Sequence, residues 1–162
     1  MGRRFRGESV HKVDSKGRVS IPAAFRRVLE EGDPDWVSGA NPNFVIVYGL
    51  EAESCLVGYT IDGIDAIDAQ VSQMPYGNAR KLLERRLSTQ ATYAQVDENG
   101  RIVLPAKLRQ KFGIASEAIF AGMNDKFQIW NPEAYDADMD DLGEDIETAN
   151  PLELLNQLRD GA

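Results

Sequence analysis

The chain has 162 residues, 43% hydrophobic and 27% charged, which suits one ordinary domain or two small ones sharing a core. A single cysteine, Cys55, and a single histidine, His11, exclude an internal disulfide framework and a zinc cage, and no apolar run approaches the roughly 20 residues that cross a bilayer. The net charge of −8 is segregated: residues 1–31 hold eight Lys/Arg against four Asp/Glu and residues 79–111 eight against three, while residues 32–78 hold none against seven and residues 112–162 two against twelve.

The opening MGRRFRGESV is basic and has no apolar stretch behind it, so no secretory signal is expected. Arg3, Arg4 and Arg6 form a short arm that either touches phosphates or is a solvated end. His11, Val13 and then Val19, Ile21 alternate with polar neighbours, which predicts strands over 10–13 and 18–21. Between them Asp14-Ser15-Lys16-Gly17 puts Asp at the first turn position and Gly where φ turns positive, which predicts a tight hairpin. Pro22 suits the first turn of a short helix that runs to about Glu31, with Gly32 just past its end. Phe25 and Leu29 make its apolar face. Strands are expected again at 44–48 and 55–60.

Residues 64–89 form a bridge, with helical spacing of Leu82, Leu83 and Leu87 over 79–87. Its Arg80, Lys81, Arg85 and Arg86 read as a solvated face or a phosphate track, and Asn78, Arg80 and Glu84 as possible subunit contacts. After the bridge the pattern recurs: VDSKGRVSIP at 13–22 returns as VDENGRIVLP at 96–105, and Phe44 and Ile46 align with Phe127 and Ile129. Asp97-Glu98-Asn99-Gly100 repeats the turn, Pro105 to Phe112 the helix, and strands are expected near 93–96, 101–104, 118–121 and 126–130. The chain is therefore read as a duplicated α+β, β-rich unit: copy one at 1–63, the bridge at 64–89, copy two at 90–135. From 136 onward a strongly acidic tail reads as loose and dispensable for folding, with one amphipathic helix conceivable in PLELLNQLR at 151–159.

The paired segments resemble the D-x-x-G-R signatures of the MraZ family. The likeness is closest over FRGESVHKVDSKGRVSIPAAFR and YAQVDENGRIVLPAKLR and covers roughly residues 5–135. It implies two AbrB-like swapped-hairpin half-barrels with short helices in one chain. It further implies a cytoplasmic, nucleoid-associated bacterial regulator of the division and cell-wall gene cluster, a homo-oligomeric ring bound to repeated promoter boxes of double-stranded DNA. No cofactor, membrane or small-molecule substrate belongs to that picture. The acidic extension has no counterpart in the family pattern as read from these motifs.

Arg18 follows the Gly turn, where a guanidinium can bond two acceptors on a guanine edge. The resemblance implies the same role, since the family's matching arginine is associated with DNA. The competing reading is an ion pair from Arg18 to Asp14 that fixes the turn. Ser15 and Lys16 share that turn, and Lys16 suits a phosphate. Arg101 is the equivalent in copy two, on a less basic loop where Glu98 and Asn99 replace Ser15 and Lys16. Its role is expected to be smaller.

Asp14, Gly17, Asp97 and Gly100 are read as turn formers rather than as a catalytic carboxylate pair. No nucleophile–base set, phosphate-binding loop or dinucleotide fingerprint is visible, so neither an enzyme nor a metal site is expected. An antitoxin-like protein whose acidic tail sequesters a partner is the second reading, and the neighbouring genes would separate the two.

Overall fold

The structure, a computed structural model, describes residues 3–50, 54–145 and 150–160. Glu147 of the acidic tail lies outside them. Copy one runs β1 (Glu8–Lys12), β2 (Arg18–Ser20), α1 (Ala23–Glu31), β3 (Asn43–Val47) and β4 (Leu56–Thr60). The bridge is two helices, α2 (Ile61–Ser72) and α3 (Asn78–Thr89). Copy two repeats the order as β5 (Ala91–Gln95), β6 (Arg101–Val103), α4 (Ala106–Lys111), β7 (Glu117–Gly122) and β8 (Phe127–Trp130). These strands lie where alternation and the repeat place them, with ends shifted by one or two residues.

Strand pairing departs from the local reading of the two turns. The turns form, but the strands on either side of a turn do not ladder with each other. β1 pairs with β7 and β5 with β3, each copy's first strand lying on the other copy's third. β4 pairs with β8, which joins the halves into one antiparallel sheet of order β1-β7-β8-β4-β3-β5. β2 and β6 make a separate two-stranded ribbon. The local hairpins read from the turns alone thus give way to interlocked ones, as the swapped-hairpin units implied by the family resemblance require. Both copies fall within a single unit, Met1–Pro132, so the repeat boundary in the sequence does not divide the structure.

The physical reason is burial. The outward β1 positions alternate with inward ones that must meet the shared core, and only the other copy supplies the partner surface. Phe127 sits at the centre, fully buried, with ring centroids of Phe5, Phe25, Phe44 and Phe120 at 5.1, 5.4, 5.9 and 6.1 Å. Val19, Ile102 and Leu104 close the core from the ribbon side.

Helix ends follow local chemistry. Pro22 and Pro105 stand at the N-caps of α1 and α4, one residue earlier than expected. Gly113 is left-handed at φ 65, as a residue beyond a helix end should be. Gly32 is not left-handed, at φ −89. It is required because any Cβ there would run into the Thr60 side chain. α2 was not foreseen. Thr60 caps it by accepting from Gly63 N at 2.9 Å, and Ile64 and Val71 bury its inner face. Gly63 and three aspartates masked that apolar period in the sequence.

The second unit, Glu133–Ala162, carries the tail. Where a loose segment was expected, α5 (Pro132–Asp145) is helical, while α6 (Glu153–Asp160) lies on the one helix the sequence offered there, at 151–159. Pro at the first helical position and Glu133 in the first turn favour α5 at its N-terminus, which offsets the like-charge density further along.

Candidate nucleic-acid interface

Each D-x-x-G-R turn is built by its own aspartate. Asp14 Oδ1 accepts from Lys16 N at 3.0 Å and Arg18 N at 2.8 Å, and Gly17 N donates to Asp14 O at 2.9 Å. Asp97 Oδ1 likewise accepts from Asn99 N at 2.8 Å and Arg101 N at 2.9 Å, and Gly100 N donates to Asp97 O at 3.0 Å. Gly17 and Gly100 have φ of 82 and 74, a region that side-chain-bearing residues rarely adopt. Asp14 and Gly17 close the first turn by these bonds and dihedrals, and Asp97 and Gly100 close the second. The Arg18 backbone N–H is the largest influence on the Asp14 carboxyl and keeps it below the ordinary carboxylate value. The Arg18 guanidinium and the Lys16 N–H act in the same direction. The Arg101 N–H leads the same effect on Asp97.

The two turns are stitched together. Ile21 N donates to Gly100 O at 3.0 Å, and Leu104 N donates to Gly17 O at 2.8 Å, so each strand after a turn ends on the other turn's glycine. Two arginines that align in the repeat support this junction. Arg26 Nη1 donates to Asp97 O at 2.9 Å across the copies, while Arg109 Nε donates to Leu104 O at 2.9 Å beside Gly17. Neither was singled out from the sequence, where their matching places 83 positions apart in the repeat were the available signal.

In the β2–β6 ribbon Arg18 lies opposite Val103 and Ser20 opposite Arg101. Val19 and Ile102 point inward, so Arg18, Ser20, Arg101 and Val103 share the outward face. From strand rise and spacing the two arginine Cα atoms lie about 8 Å apart. Ser20 was missed as a face member, although two-residue alternation from Arg18 predicts it. Ser15 and Lys16 are exposed at the tip of the first turn.

Arg18 Nε donates to Asp14 Oδ2 at 2.6 Å, so the alternative ion pair is present. Among the described residues its terminal nitrogens make no other hydrogen bond. Arg101 Nε stands 3.6 Å from Asp97 Oδ2, and it is buried without a hydrogen-bond partner.

Arg6 is not brought to this face. It sits before β1, at the end opposite the turn and about 20 Å along the strand. There its neighbour Phe5 is pinned to Asn124 by paired backbone bonds of 2.8 and 3.0 Å. The arm is tethered rather than free, and Arg3 pairs with Glu31 at 3.1 Å.

Residues 4–84 and 87–153 match a family described as "MraZ protein, putative antitoxin-like". The chain belongs to the MraZ family. A transcriptional regulator MraZ of Ruegeria pomeroyi is 52% identical over 165 residues, covering 96% of this chain and 97% of its own. One of Ruegeria sp. (strain TM1040) is 52% identical over 161 residues, covering 99% and 92%. One of Roseiflexus castenholzii is 36% identical over 129 residues, covering 79% and 81%. The MraZ match continues to residue 153 and so takes in α5, which corrects the narrower span read from the motifs alone. Among the described residues no helix is long and apolar enough to cross a membrane.

Proposed function

We propose that this MraZ-family chain is a transcription regulator that reads double-stranded DNA through the outward face of the β2–β6 ribbon and its two turns. The observation that carries the reading is the pair of guanidinium groups on one face of a two-stranded ribbon, the shape a major groove admits. Asp14 holds the Arg18 Nε, which orients the terminal fork instead of consuming it. Ion pair and base contact are then parts of one device, a base reader preorganised by its own turn. Ser15 and Lys16 at the tip meet the phosphates, and the local basic charge offsets the acidic total.

One ribbon offers a short reading surface. The sheet ends in β1 and β5, whose outer edges call for cover. Assembly into a ring covers them and sets several ribbons side by side on repeated promoter boxes, where linked sites raise affinity well above one site. The targets in this reading are the promoter repeats of the division and cell-wall gene cluster, and the protein resides in the cytoplasm on the nucleoid. The role requires no catalysis, metal or cofactor.

The test is fluorescence anisotropy on the region upstream of the protein's own operon, with repeats deleted one at a time. Binding is expected to fall steeply with the first deletion, and Arg18→Ala to abolish most of the preference for the repeats. A folded, assembled Arg18→Ala protein that binds like the parent defeats the reading.

An antitoxin-like role has two observations in its favour: the family description, and the exposed Leu152, Leu155 and Leu158 in and beside α6. A toxin gene beside the coding gene, and capture of its product by the full chain but not by a chain ending at residue 145, would support it.

A further inference from the structure

The bridge helices carry a feature that DNA reading does not use. α2, the last turn of α3 and the start of β5 enclose a groove of about 230 Å³. Its floor is apolar, formed by the buried Val45, Ile64 and Leu87. One wall is Tyr93 of β5, 81% exposed on the strand that ends the sheet. The other wall presents Asp65 and Asp68 of α2. Neither carboxylate has a cation partner among the described residues. Burial, and then the neighbouring Asp65 charge, raise the Asp68 carboxyl above its ordinary value. Both carboxylates are exposed, so together they give this wall of the groove a negative charge that faces solvent beside the apolar floor.

The same chain carries the complement on another face. On α3, Leu83 and Leu87 turn inward, and the opposite face presents Lys81, Leu82 and Arg85. Leu82 is 51% exposed, and Lys81 and Arg85 have no side-chain partner among the described residues. The other two cations of α3 are engaged: Arg80 with Glu84 at 2.6 Å and over the Tyr76 ring, Arg86 with Gly49 O at 2.9 Å.

We propose that the groove receives the Lys81–Leu82–Arg85 face of a second copy of this chain. Leu82 seats on the Val45, Ile64 and Leu87 floor, Lys81 and Arg85 pair with Asp65 and Asp68, and Tyr93 is covered at the rim. An apolar knob flanked by two cations meets an apolar hole flanked by two anions. Because donor and acceptor patches differ, the contact is head to tail, and it closes into a ring or grows as an open chain according to the rotation per subunit. The inference rests on the assembly reading above and names its surface and partner.

The experiment is sedimentation velocity of the full chain over a concentration series, with circular dichroism of every variant. Asp65→Lys/Asp68→Lys and Lys81→Glu/Arg85→Glu are each expected to raise the concentration of half-assembly about tenfold or more, since each places like charges across the contact. An equal mixture of the two variants is expected to reassemble, because each one's groove then meets the other's knob with opposite charge. Restoration by mixing also shows that neither variant failed through misfolding. The proposal is overturned if either folded variant assembles like the parent, or if the folded mixture stays dissociated. A parent chain that is itself monomeric overturns both this proposal and the assembly reading. An assembled parent with indifferent variants overturns only the seat, and the ribbon remains to be tested by its own Arg18 variant.

Discussion

The two D-x-x-G-R turns share one internal design and sit in different surroundings. In both, a single aspartate oxygen takes two backbone N–H groups and a left-handed glycine closes the loop. Around Gly17 there is no room: an added Cβ would meet the Leu104 carbonyl and stand 2.9 Å from Arg109 Nε. Around Gly100 nothing lies within 4 Å. Arg18 is clamped to its aspartate at 2.6 Å, while Arg101 stands off at 3.6 Å with its Nε unsatisfied. A repeat in sequence secures the same local geometry twice. What each copy packs against decides how much a substitution costs and how firmly the arginine is aimed.

The largest expected effect comes from the glycines. Gly17→Ala incurs left-handed strain of roughly 1–2 kcal/mol and a clash of similar size, so urea unfolding should show a loss of about 3 kcal/mol. Gly100→Ala incurs the strain alone, roughly 1–2 kcal/mol. Equal losses at both positions would mean that the two environments do not differ as described.

Next is base reading. Arg18→Ala should weaken specific binding by about 1–3 kcal/mol, and Arg101→Ala by less, because its fork is not held by the aspartate. Anisotropy titrations on intact and scrambled repeats measure both, and a larger loss from Arg101→Ala would reverse the ranking of the turns. Lys16→Ala should lower affinity alike on both DNAs and reduce the salt slope by about one, as one lost phosphate contact does. Asn99 holds the equivalent place in the second turn, and Asn99→Ala should leave that slope unchanged.

The smallest effects are in pH. Both turn aspartates are depressed, so their contributions are fully present above the ordinary carboxylate value of 3.8 and are lost as pH falls through their folded values. Side-chain carbon shifts followed by NMR should place Asp14 below Asp97, because only Asp14 carries the short guanidinium bond. The reverse order would break the contrast. His11 is lowered from 6.5 by burial, so its contribution is complete above that value and declines as pH falls through it. Any stability lost between neutrality and pH 5 should vanish in His11→Gln while the turns stay intact.

Much of this was open to reading in one dimension. Period-2 alternation located the half-buried β1, β2 and β6, while apolar runs and the repeat located β3, β4, β7 and β8, which are buried on both faces and so do not alternate. Asp-x-x-Gly located both turns, because the aspartate bonds within four residues of itself. Pairing was not open in the same way. A local hairpin and an interlocked one expose the same residues, and only the match between inward faces distinguishes them. The bonds of Arg26 and Arg109 to the turn junction were hidden for a related reason, since the Asp97 and Leu104 carbonyls they reach lie outside their own helices, even though Arg26 also pairs with Glu30 of α1. α2 was hidden by polar residues on a helix whose inner face is narrow.

Sequence alone therefore determined the elements, the turn chemistry and the duplication, all set by forces acting within a few residues. Tertiary structure decided which copy each strand joins, which glycine is crowded, which arginine is clamped and where unpaired carboxylates meet apolar surface. Those outcomes depend on groups far apart in the chain, whose burial has no meaning until the core closes around them.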